Sequence, residues 1–459
     1  MRYQEEFNKN IHQSIADGSI KSKTQTAISR YVQQHKKSLE QFVSLELAKN
    51  RAAYAKWRVT ENLDKYLIEF EASITRKGGK VIWAHDGTTA LNEIEQQLKR
   101  LNAKSIVKSK TSIGDEIGLT SYLHGKGFET KETDFGTYLL GSLKTKTAHA
   151  SMPLLHIEKL KVNESLNASI RTSLNADENE IAKDIAEQLR SNYYQADVCI
   201  TGANFLISDS GFVSISDNEG NVQLCTSFAK THIVLAGIDK VLPSLSDIDI
   251  FYTLLSSHST GQRISTYNTL YGPKNANIDN DSPSEFIVIL IDNGRSNLLQ
   301  THEQRDALHC IECGACHHVC PIYTQIGGQA FKNNSESGPI GMVVTPLKEG
   351  LTDNKYLSEA STSCGNCSNV CPVNIDIHTH LLRNRRDARQ LGLSTNGEKL
   401  AWYTWKKAMM SRKNLDRASG IKNFTFKQFF KADWGEEREL PKIEDKSFNQ
   451  MWRELKGTK

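Results

Sequence analysis

The spacing of apolar residues over the first part of the chain is typical of amphipathic helices. Phe7, Ile11 and Ile15 are four residues apart, similar intervals recur toward position 70, and glycine is rare throughout. A period of three to four residues places such side chains on one face of a helix. We therefore expect residues 1–74 to form a helical arm rather than a separate domain.

From Gly78 onward, short apolar runs alternate with amphipathic stretches. The pattern predicts a strand at Gly79–Ala84, a helix at Thr88–Leu101 and a strand at Ser105–Lys108. Strands that alternate with helices form parallel sheets, so this segment predicts a βαβ unit. Further predicted elements are a helix from Asp177 to about Tyr194 and strands at Asp197–Thr201, Phe205–Ser208, Phe212–Ser216 and Ile233–Ala236.

Two later segments complete the sheet pattern. Gly220-Asn221 is a turn signal before the short apolar run Val222–Cys225, which predicts a hairpin strand. Glu285–Ile291 is almost continuously apolar, as expected for a strand that is buried on both faces of a parallel sheet. Residues 75–300 are therefore predicted to form an α/β domain.

Size and composition are those of an ordinary protein with more than one domain. The chain has 459 residues, of which 38% are hydrophobic and 24% charged, so two or three domains are expected. The net charge of +4 gives no case for nucleic-acid binding. No stretch approaches the ~20 apolar residues of a membrane span, and Met1–Glu6 does not begin an apolar signal core. We expect a cytoplasmic protein, with peripheral membrane association through a partner left open.

Seven of the nine cysteines lie in two short runs. These runs are Cys310-x2-Cys313-x2-Cys316-x3-Cys320-Pro321 and Cys364-x2-Cys367-x3-Cys371-Pro372. Thiolates at these spacings, each run closed by Cys-Pro, are the ligand pattern of bacterial cubane iron–sulfur clusters. Gly314 and Gly365 suit a backbone that approaches a cluster closely, since glycine has no Cβ. The sequence therefore predicts two clusters and a role in electron transfer.

The spacing also predicts how the thiolates are shared. In two-cluster ferredoxins, the fourth cysteine of such a run binds the other cluster. Cluster 1 is then predicted to bind Cys310, Cys313, Cys316 and Cys371. Cluster 2 is predicted to bind Cys320, Cys364 and Cys367.

The second run is one cysteine short. Alignment with the first run places Ser361 at the missing position. The fourth ligand of cluster 2 is therefore the Ser361 oxygen, a nearby histidine, water, a partner's sulfur, or nothing. Two [4Fe–4S] clusters are expected, with a [3Fe–4S] cluster as the alternative at the second site.

A zinc site is the alternative interpretation of closely spaced cysteines. Structural zinc takes four ligands, commonly as two pairs, whereas the first run has three cysteines at a spacing of three and a fourth beyond them. The spacing thus favours iron–sulfur clusters over zinc. Cys199 and Cys225 lie in apolar, strand-like segments and are interpreted as small buried hydrophobes.

Residues 301–400 contain both runs. The 43 residues between Cys320 and Cys364 are too many for the tight turns of a minimal ferredoxin, so we predict an α-helical ferredoxin-type domain. The segment 401–459 is basic, with 14 Lys and Arg against eight Asp and Glu. It is either a surface tail or a docking segment for partner subunits. It also contains four of the six tryptophans, namely Trp402, Trp405, Trp434 and Trp452.

Several segments resemble the lactate-utilisation protein B family. They are Thr201–Phe205, His232–Lys240 and Tyr267–Pro273, together with Gly338–Gly341 between the two cysteine runs. The family's second run also lacks its first cysteine. The resemblance spans essentially the whole chain, with one local departure at Gly328–Ala330 and the Asn/Ser-rich stretch that follows.

This resemblance implies an iron–sulfur subunit that works with two other proteins to oxidise L-lactate to pyruvate. One implied partner is a cysteine-rich protein similar to heterodisulfide-reductase subunits, and the other is a smaller LUD-domain protein. The resemblance also implies that residues 75–300 form a LUD-type domain with a sugar-isomerase/CoA-transferase-like fold. Another 2-hydroxy acid, such as glycolate, is the alternative substrate.

A different class of function would make the α/β domain an enzyme and the clusters structural or regulatory. The sequence has no Gly-x-Gly-x-x-Gly fingerprint. Taken singly, each polar residue that could contact a carboxylate substrate is interpreted as structural or solvated, so no catalytic residue is assigned. These candidates are Lys108, Lys110, Asp209, Glu219, His232, Lys240, Arg263 and Arg295.

Overall fold

The fold consists of a parallel α/β sheet domain followed by a helical ferredoxin-type region, which confirms the predicted fold class. The chain divides into two compact units, Met1–Asp387 and Ala388–Lys459. The computed structural model describes residues 2–16, 18–145, 147, 153–154, 156–274, 285–331, 337–412, 416, 423–424, 427–428 and 442–457.

The N-terminal arm is helical, as predicted, and packs against both parts of the first unit. The Phe7 ring lies 5.3 Å from that of Phe331 and 5.1 Å from that of Tyr356, both in the ferredoxin-type region. Tyr31 Oη donates a 2.7 Å hydrogen bond to the carbonyl of His258 in the α/β domain. The four helices are α1 (Arg2–Ala16), α2 (Gly18–Leu39), α3 (Leu45–Glu61) and α4 (Leu63–Arg76).

A six-stranded sheet forms the centre of the α/β domain. All five of its strand pairings are parallel, and the strand order is β1-β10-β7-β4-β2-β3. The neighbouring inner strands β10 and β7 are buried almost along their whole length, as their apolar sequences require. The strands are β1 (Lys80–Ala84), β2 (Ser105–Lys108), β3 (Glu129–Glu132), β4 (Val198–Gly202), β7 (Thr231–Gly237) and β10 (Glu285–Ile291).

Helices connect these strands and cover the sheet. Helix α5 begins at an N-cap, where the Asp86 carboxylate accepts from the Thr89 N–H, and α10 begins with a capping box formed by Asp177 and Glu180. The helices of this domain are α5 (Gly87–Arg100), α6 (Ser112–Glu116), α7 (Leu119–Gly125), α8 (Phe135–Leu143), α9 (Lys159–Ile170), α10 (Glu178–Gln195), α11 (Asn221–Phe228), α12 (Ile248–Ser259) and α13 (Arg295–Gln300).

A second, four-stranded sheet has the order β8-β5-β6-β9. Here the predicted hairpin strand Val222–Cys225 is wrong, because this segment lies in helix α11. Gly220, at φ +78°, precedes the helix, and the strand before it pairs with residues some 50 positions later instead. A short apolar run has no period that distinguishes a strand from a helix. The strands are β5 (Phe205–Ile207), β6 (Phe212–Asp217), β8 (Val241–Leu242) and β9 (Tyr267–Tyr271).

The ferredoxin-type region connects its two cysteine runs with helices, as the long interval between them predicted. Its apolar side chains share one core with the arm and the α/β domain, including Phe7, Phe251, Tyr323 and Leu381. The helices are α14 (Ala315–Val319), α15 (Tyr323–Ile326), α16 (Gly338–Glu349), α17 (Leu351–Glu359), α18 (Asn366–Val370) and α19 (Ile377–Gln390).

The second unit contains two helices of nine residues or more in its described part. It contains α20 (Asn396–Met409), which begins with a capping box, and a last helix at Phe448–Lys456. Trp402 and Trp405 are each 51% exposed, and Trp434 lies outside the described residues. Among the described helices, none combines the length and the apolar character needed to cross a membrane.

Candidate iron–sulfur centre

The two cysteine runs fold in the same way. In the first run, Glu312 and Gly314 have φ of +56° and +76°, and helix α14 follows. In the second run, Ser363 and Gly365 have φ of +55° and +83°, and helix α18 follows. The left-handed backbone on both sides of Cys313 and of Cys364 curls each run around its cysteines. The common spacing of the two runs therefore corresponds to a common local structure.

The structure divides the seven cysteines into the two predicted sets. Cys310, Cys313, Cys316 and Cys371 line one cavity. Cys320, Cys364 and Cys367 line a second, smaller cavity, together with Ser361. The fourth cysteine of each run thus lies with the other run's set, although the binding of iron by these residues stays a prediction.

The two sets differ in their access to solvent. In the first set Cys313, Cys316 and Cys371 are buried and Cys310 is half-buried. In the second set Cys320 and Cys367 are buried but Cys364 is exposed. Burial raises the pKa of Cys310 to about 12, and the neighbouring Lys240 ammonium counters part of that rise. Thiolates are the form that binds iron, so iron binding at these buried thiols must release protons.

The donor set and the surrounding backbone fit iron–sulfur clusters. Backbone N–H groups point at the sulfurs, since Glu312 N lies 3.3 Å from Cys310 Sγ and Ile375 N lies 3.4 Å from Cys371 Sγ. Such hydrogen bonds stabilise a negatively charged thiolate. Cys371 would thus be held as the fourth ligand of cluster 1, as the spacing predicts.

A single metal ion is a different case. Within the described parts of the chain, no group of three or more His, Cys, Asp or Glu side chains is compact enough to hold one ion. A cubane distributes its thiolates over separate irons, so this finding concerns single ions rather than clusters.

The larger cavity joins the cysteines to the α/β domain. It has a volume of about 520 Å³, and residues that follow the carboxyl ends of several parallel strands line it. These residues are Thr111 after β2, Asn204 after β4, Lys240 after β7 and Arg295 after β10. The carboxyl edge of a parallel sheet is the usual place for a small-molecule site. The predicted cluster 1 set therefore faces the edge of the sheet where a ligand would bind.

A network of ion pairs at this edge joins the two domains. Lys240 Nζ lies 2.7 Å from Glu312 Oε1, which connects the loop after β7 to the first cysteine run. Arg295 lies 2.6 Å from Asp239 and 2.9 Å from Glu116. Lys348 of helix α16 forms a further pair with Glu116. The Lys240–Glu312 pair joins the first cysteine run to the sheet edge, and the Lys348–Glu116 pair joins helix α16 to it.

Sequence reasoning missed most of this network. Lys240 and Arg295 were candidates, but Glu116, Asp239 and Glu312 were not. The available signal was position, because Asp239 follows a buried strand and Glu312 lies between two predicted ligands. Charged residues at the carboxyl ends of parallel strands are often functional.

The other candidate residues divide into two groups. Lys110 and Glu219 line the cavity, but Lys108, Asp209, His232 and Arg263 do not. Lys108 is buried in an ion pair with Glu132, which is a structural role rather than a place in the cavity. His232 is buried beside Thr201, with Nε2 2.7 Å from the hydroxyl oxygen.

Comparison with known protein families agrees with this geometry. Residues 67–291 match the LUD domain family, and residues 306–375 match a 4Fe-4S dicluster domain. Lactate utilization protein B of Oceanobacillus iheyensis is 33% identical over 83% of this chain and 79% of its own. The chain belongs to the lactate utilization protein B family.

Two further relatives cover nearly the whole chain. Lactate utilization protein B of Bacillus cytotoxicus is 30% identical over 99% of this chain and 98% of its own. The electron transport protein YkgF of Escherichia coli (strain K12) is 33% identical over 98% of this chain and 96% of its own. Together with the dicluster domain, these relatives support the predicted iron–sulfur clusters and electron-transfer role.

Proposed function

We propose that this protein is the iron–sulfur electron-transfer subunit of a complex that oxidises L-lactate to pyruvate. The observation that carries the proposal is the placement of the cysteine sets. One set faces a cavity at the carboxyl edge of the sheet, and the other reaches the surface at Cys364. The named relatives support lactate as the substrate of the complex.

Lactate oxidation releases two electrons and two protons as the alcohol carbon becomes a ketone. A [4Fe–4S] cluster at each set would supply two one-electron carriers side by side. The chain's own contribution is to hold the two thiol sets around the neighbouring short helices α14 and α18, and to bury most of the first set. The exposed Cys364 end is the side from which electrons would leave toward a partner.

The proposed partners are a cysteine-rich protein similar to heterodisulfide-reductase subunits and a smaller LUD-domain protein. The test uses anaerobically purified protein with and without these two partners. We expect about eight irons with matching sulfide, and reduction of the clusters by L-lactate only when all three proteins are present. The electron paramagnetic resonance spectrum of the frozen mixture measures that reduction.

A matched pair of variants tests the role of the cysteine runs. Cys367→Ala should lose the second cluster, whereas Cys225→Ala, at a buried cysteine outside both runs, should keep the full iron content. Zinc without sulfide would overturn the proposal. Clusters that stay oxidised with L-lactate and both partners would overturn it as well, and reduction by glycolate instead would identify the alternative 2-hydroxy acid.

The second candidate is an enzyme whose α/β domain does isomerase- or acyl-transfer-like chemistry. The cavity at the sheet edge favours it, because both Lys240 and Arg295 line that cavity. In that case substrate turnover by the isolated chain would persist in Cys367→Ala, which should lack one cluster. Loss of lactate-dependent reduction in the same variant would instead favour electron transfer.

A further inference from the structure

The position of Ser361 repeats that of Cys310. The two runs are offset by a constant 51 residues, which pairs Cys313 with Cys364 and Cys316 with Cys367. The same offset pairs Cys310 with Ser361. Since the backbone on both sides of Cys313 and of Cys364 has nearly the same left-handed conformation, this pairing is one of structure as well as sequence.

The hydrogen bonds at the two positions are also equivalent. In the first run, Glu312 N donates to Cys310 Sγ at 3.3 Å. In the second run, Ser363 N donates to Ser361 Oγ at 3.1 Å. In both runs the backbone two residues later therefore holds the first side chain in place. Ser361 also lines the same cavity as Cys320, Cys364 and Cys367.

Arg385 of helix α19 holds this segment. Its Nη2 donates to the Ser361 carbonyl at 2.7 Å, and its Nε donates to the Ser358 carbonyl at 2.8 Å. Its Nη1 donates to Ser363 Oγ at 3.2 Å. These three bonds fix the backbone that carries Ser361, so the Ser361 hydroxyl is presented from an ordered segment.

Other oxygen and nitrogen donors line the small cavity, but their positions differ. Thr362 and Ser363 correspond to Ile311 and Glu312 of the first run, which are not predicted ligands. His378, whose Nδ1 lies 2.8 Å from Ser368 Oγ and 2.9 Å from Asp376 Oδ1, corresponds to Gly327 at the same offset and so to no predicted ligand of the first run. Only Ser361 has the place that a predicted cysteine ligand has in the other run.

We propose that Ser361 Oγ is the fourth protein ligand of cluster 2, in the place that Cys310 has in cluster 1. One iron–oxygen bond forms, the hydroxyl proton passes to solvent, and no electron is transferred. This inference rests on the proposed function above, since it requires that the second cysteine set holds a cluster. The alternatives for this ligand position are water, a histidine, a partner's sulfur, or no ligand at all in a three-iron cluster.

The experiment compares the full-length protein with Ser361→Ala and Ser361→Cys after anaerobic purification. Iron and sulfide contents are measured, and the reduced clusters are examined by electron–nuclear double resonance in ¹⁷O-enriched water. We expect about eight irons in the wild type, without ¹⁷O coupling from solvent. We expect Ser361→Ala either to lose one iron, with a three-iron signal, or to gain a ¹⁷O coupling from a water that replaces the serine.

Two further variants serve as matched controls. Thr362→Val removes a neighbouring hydroxyl that also lines the cavity, and His378→Gln removes the nearby imidazole. Both should keep the iron content and the spectrum of the wild type. If Ser361→Ala does not fold, Ser361→Cys decides, because it should keep both clusters and change the spectrum of the second one.

Several results would overturn the inference. They are a wild type with about seven irons and a three-iron signal, a ¹⁷O or ¹⁴N ligand coupling in the wild type, loss of iron in His378→Gln, and a Ser361→Ala or Ser361→Cys variant identical to the wild type. If the wild type holds about eight irons and the Ser361 variants do not differ from it, this inference fails but the proposed function stands. A wild type without iron and sulfide would overturn both.

Discussion

At the scale of single residues, ion pairs join the α/β domain to the ferredoxin-type region, and all their charges except that of Glu312 are buried. Burial alone would raise the pKa of Glu116, but Arg295 and Lys348 outweigh it and lower the pKa to about 2. A buried charge that loses its partner costs about 3–5 kcal/mol, so these residues have little freedom to rearrange separately. The network therefore fixes how the run lies on the sheet edge.

Lys240 is the cation of this network that pairs directly with the first cysteine run. Its partner Glu312 lies between the predicted ligands Cys310 and Cys313. A positive charge stabilises the reduced, more negative cluster. Lys240→Gln should thus lower the reduction potential of cluster 1 by tens of millivolts, compared with the ~59 mV that corresponds to a tenfold change in a one-electron equilibrium. A redox titration followed by electron paramagnetic resonance measures the shift.

Lys230→Gln is the control for that prediction. Lys230 precedes the same strand, β7, at the opposite edge of the sheet, and its side chain is 80% exposed. Its substitution should leave both potentials unchanged. Equal potentials in Lys240→Gln and the wild type would show that the ion pair has only a structural role.

His232 gives a pH dependence of stability. Burial lowers its pKa from 6.5 to about 3, so the folded protein keeps this ring neutral while the unfolded chain binds a proton below pH 6.5. The contribution of His232 to stability is therefore complete above pH 6.5 and is lost as the pH falls toward 3, at about 1.4 kcal/mol per pH unit.

His232→Gln, which removes this titration, isolates the effect from that of the other histidines. Between pH 7.5 and 5.5 the melting temperature of the wild type should fall more than that of the variant. His85→Gln, at an exposed histidine, should behave like the wild type. Parallel curves for wild type and His232→Gln would contradict the prediction.

At the scale of elements, short helices are held against each other by close contacts near the cysteines. Helix α16 begins at Gly338, where φ is +70° and an added Cβ would lie 2.0 Å from the His317 ring. His317 follows Cys316 directly. The glycine therefore allows α16 to pack against α14 at the point where α14 carries a predicted ligand.

Gly338→Ala should destabilise the protein and reduce its iron content. Left-handed backbone costs a non-glycine residue about 1–3 kcal/mol, and overpacking against the His317 ring adds a similar amount. Gly350→Ala is the control, since Gly350 also has a positive φ, +99°, but no atom lies within 4 Å of its added Cβ. The two melting temperatures and iron contents separate overpacking from backbone strain, and equal losses would show that the ring contact is unimportant.

At the scale of the whole molecule, all seven cysteines of the runs belong to the first compact unit, Met1–Asp387. The second unit carries exposed aromatic side chains, with the Arg389 guanidinium over the Trp402 ring at 4.5 Å. Exposed tryptophan and basic residues are enriched in protein interfaces. This composition agrees with a docking segment, which stays a prediction.

A chain that ends at Ser394 tests the division between the units. It should keep the iron and sulfide contents of the full chain, because every predicted ligand lies in the first unit. Binding to the partner subunits, measured by size-exclusion chromatography, should weaken. Trp402→Ala in the full chain is the milder control, and loss of iron in the shortened chain would show that the first unit depends on the second.

The sequence by itself determined the elements with a clear period and the residue types of the site. The buried strand Glu285–Ile291 and the helix after Asp177 were predicted close to their observed bounds, because an apolar run or a helical period is a local property. The two cluster-binding cysteine runs and the missing cysteine at Ser361 were equally predictable. The spacing of ligands along the chain limits which cluster they can surround.

Only the tertiary structure decided what depends on partners distant in sequence. Helix α11 replaced a predicted strand because β6 pairs with β9, and Lys108 proved to be buried because Glu132 lies opposite it. The same reason explains why the network of Glu116, Asp239 and Glu312 was missed. Burial and ion pairing arise when segments that are far apart in the chain are packed together, and no local pattern records that packing.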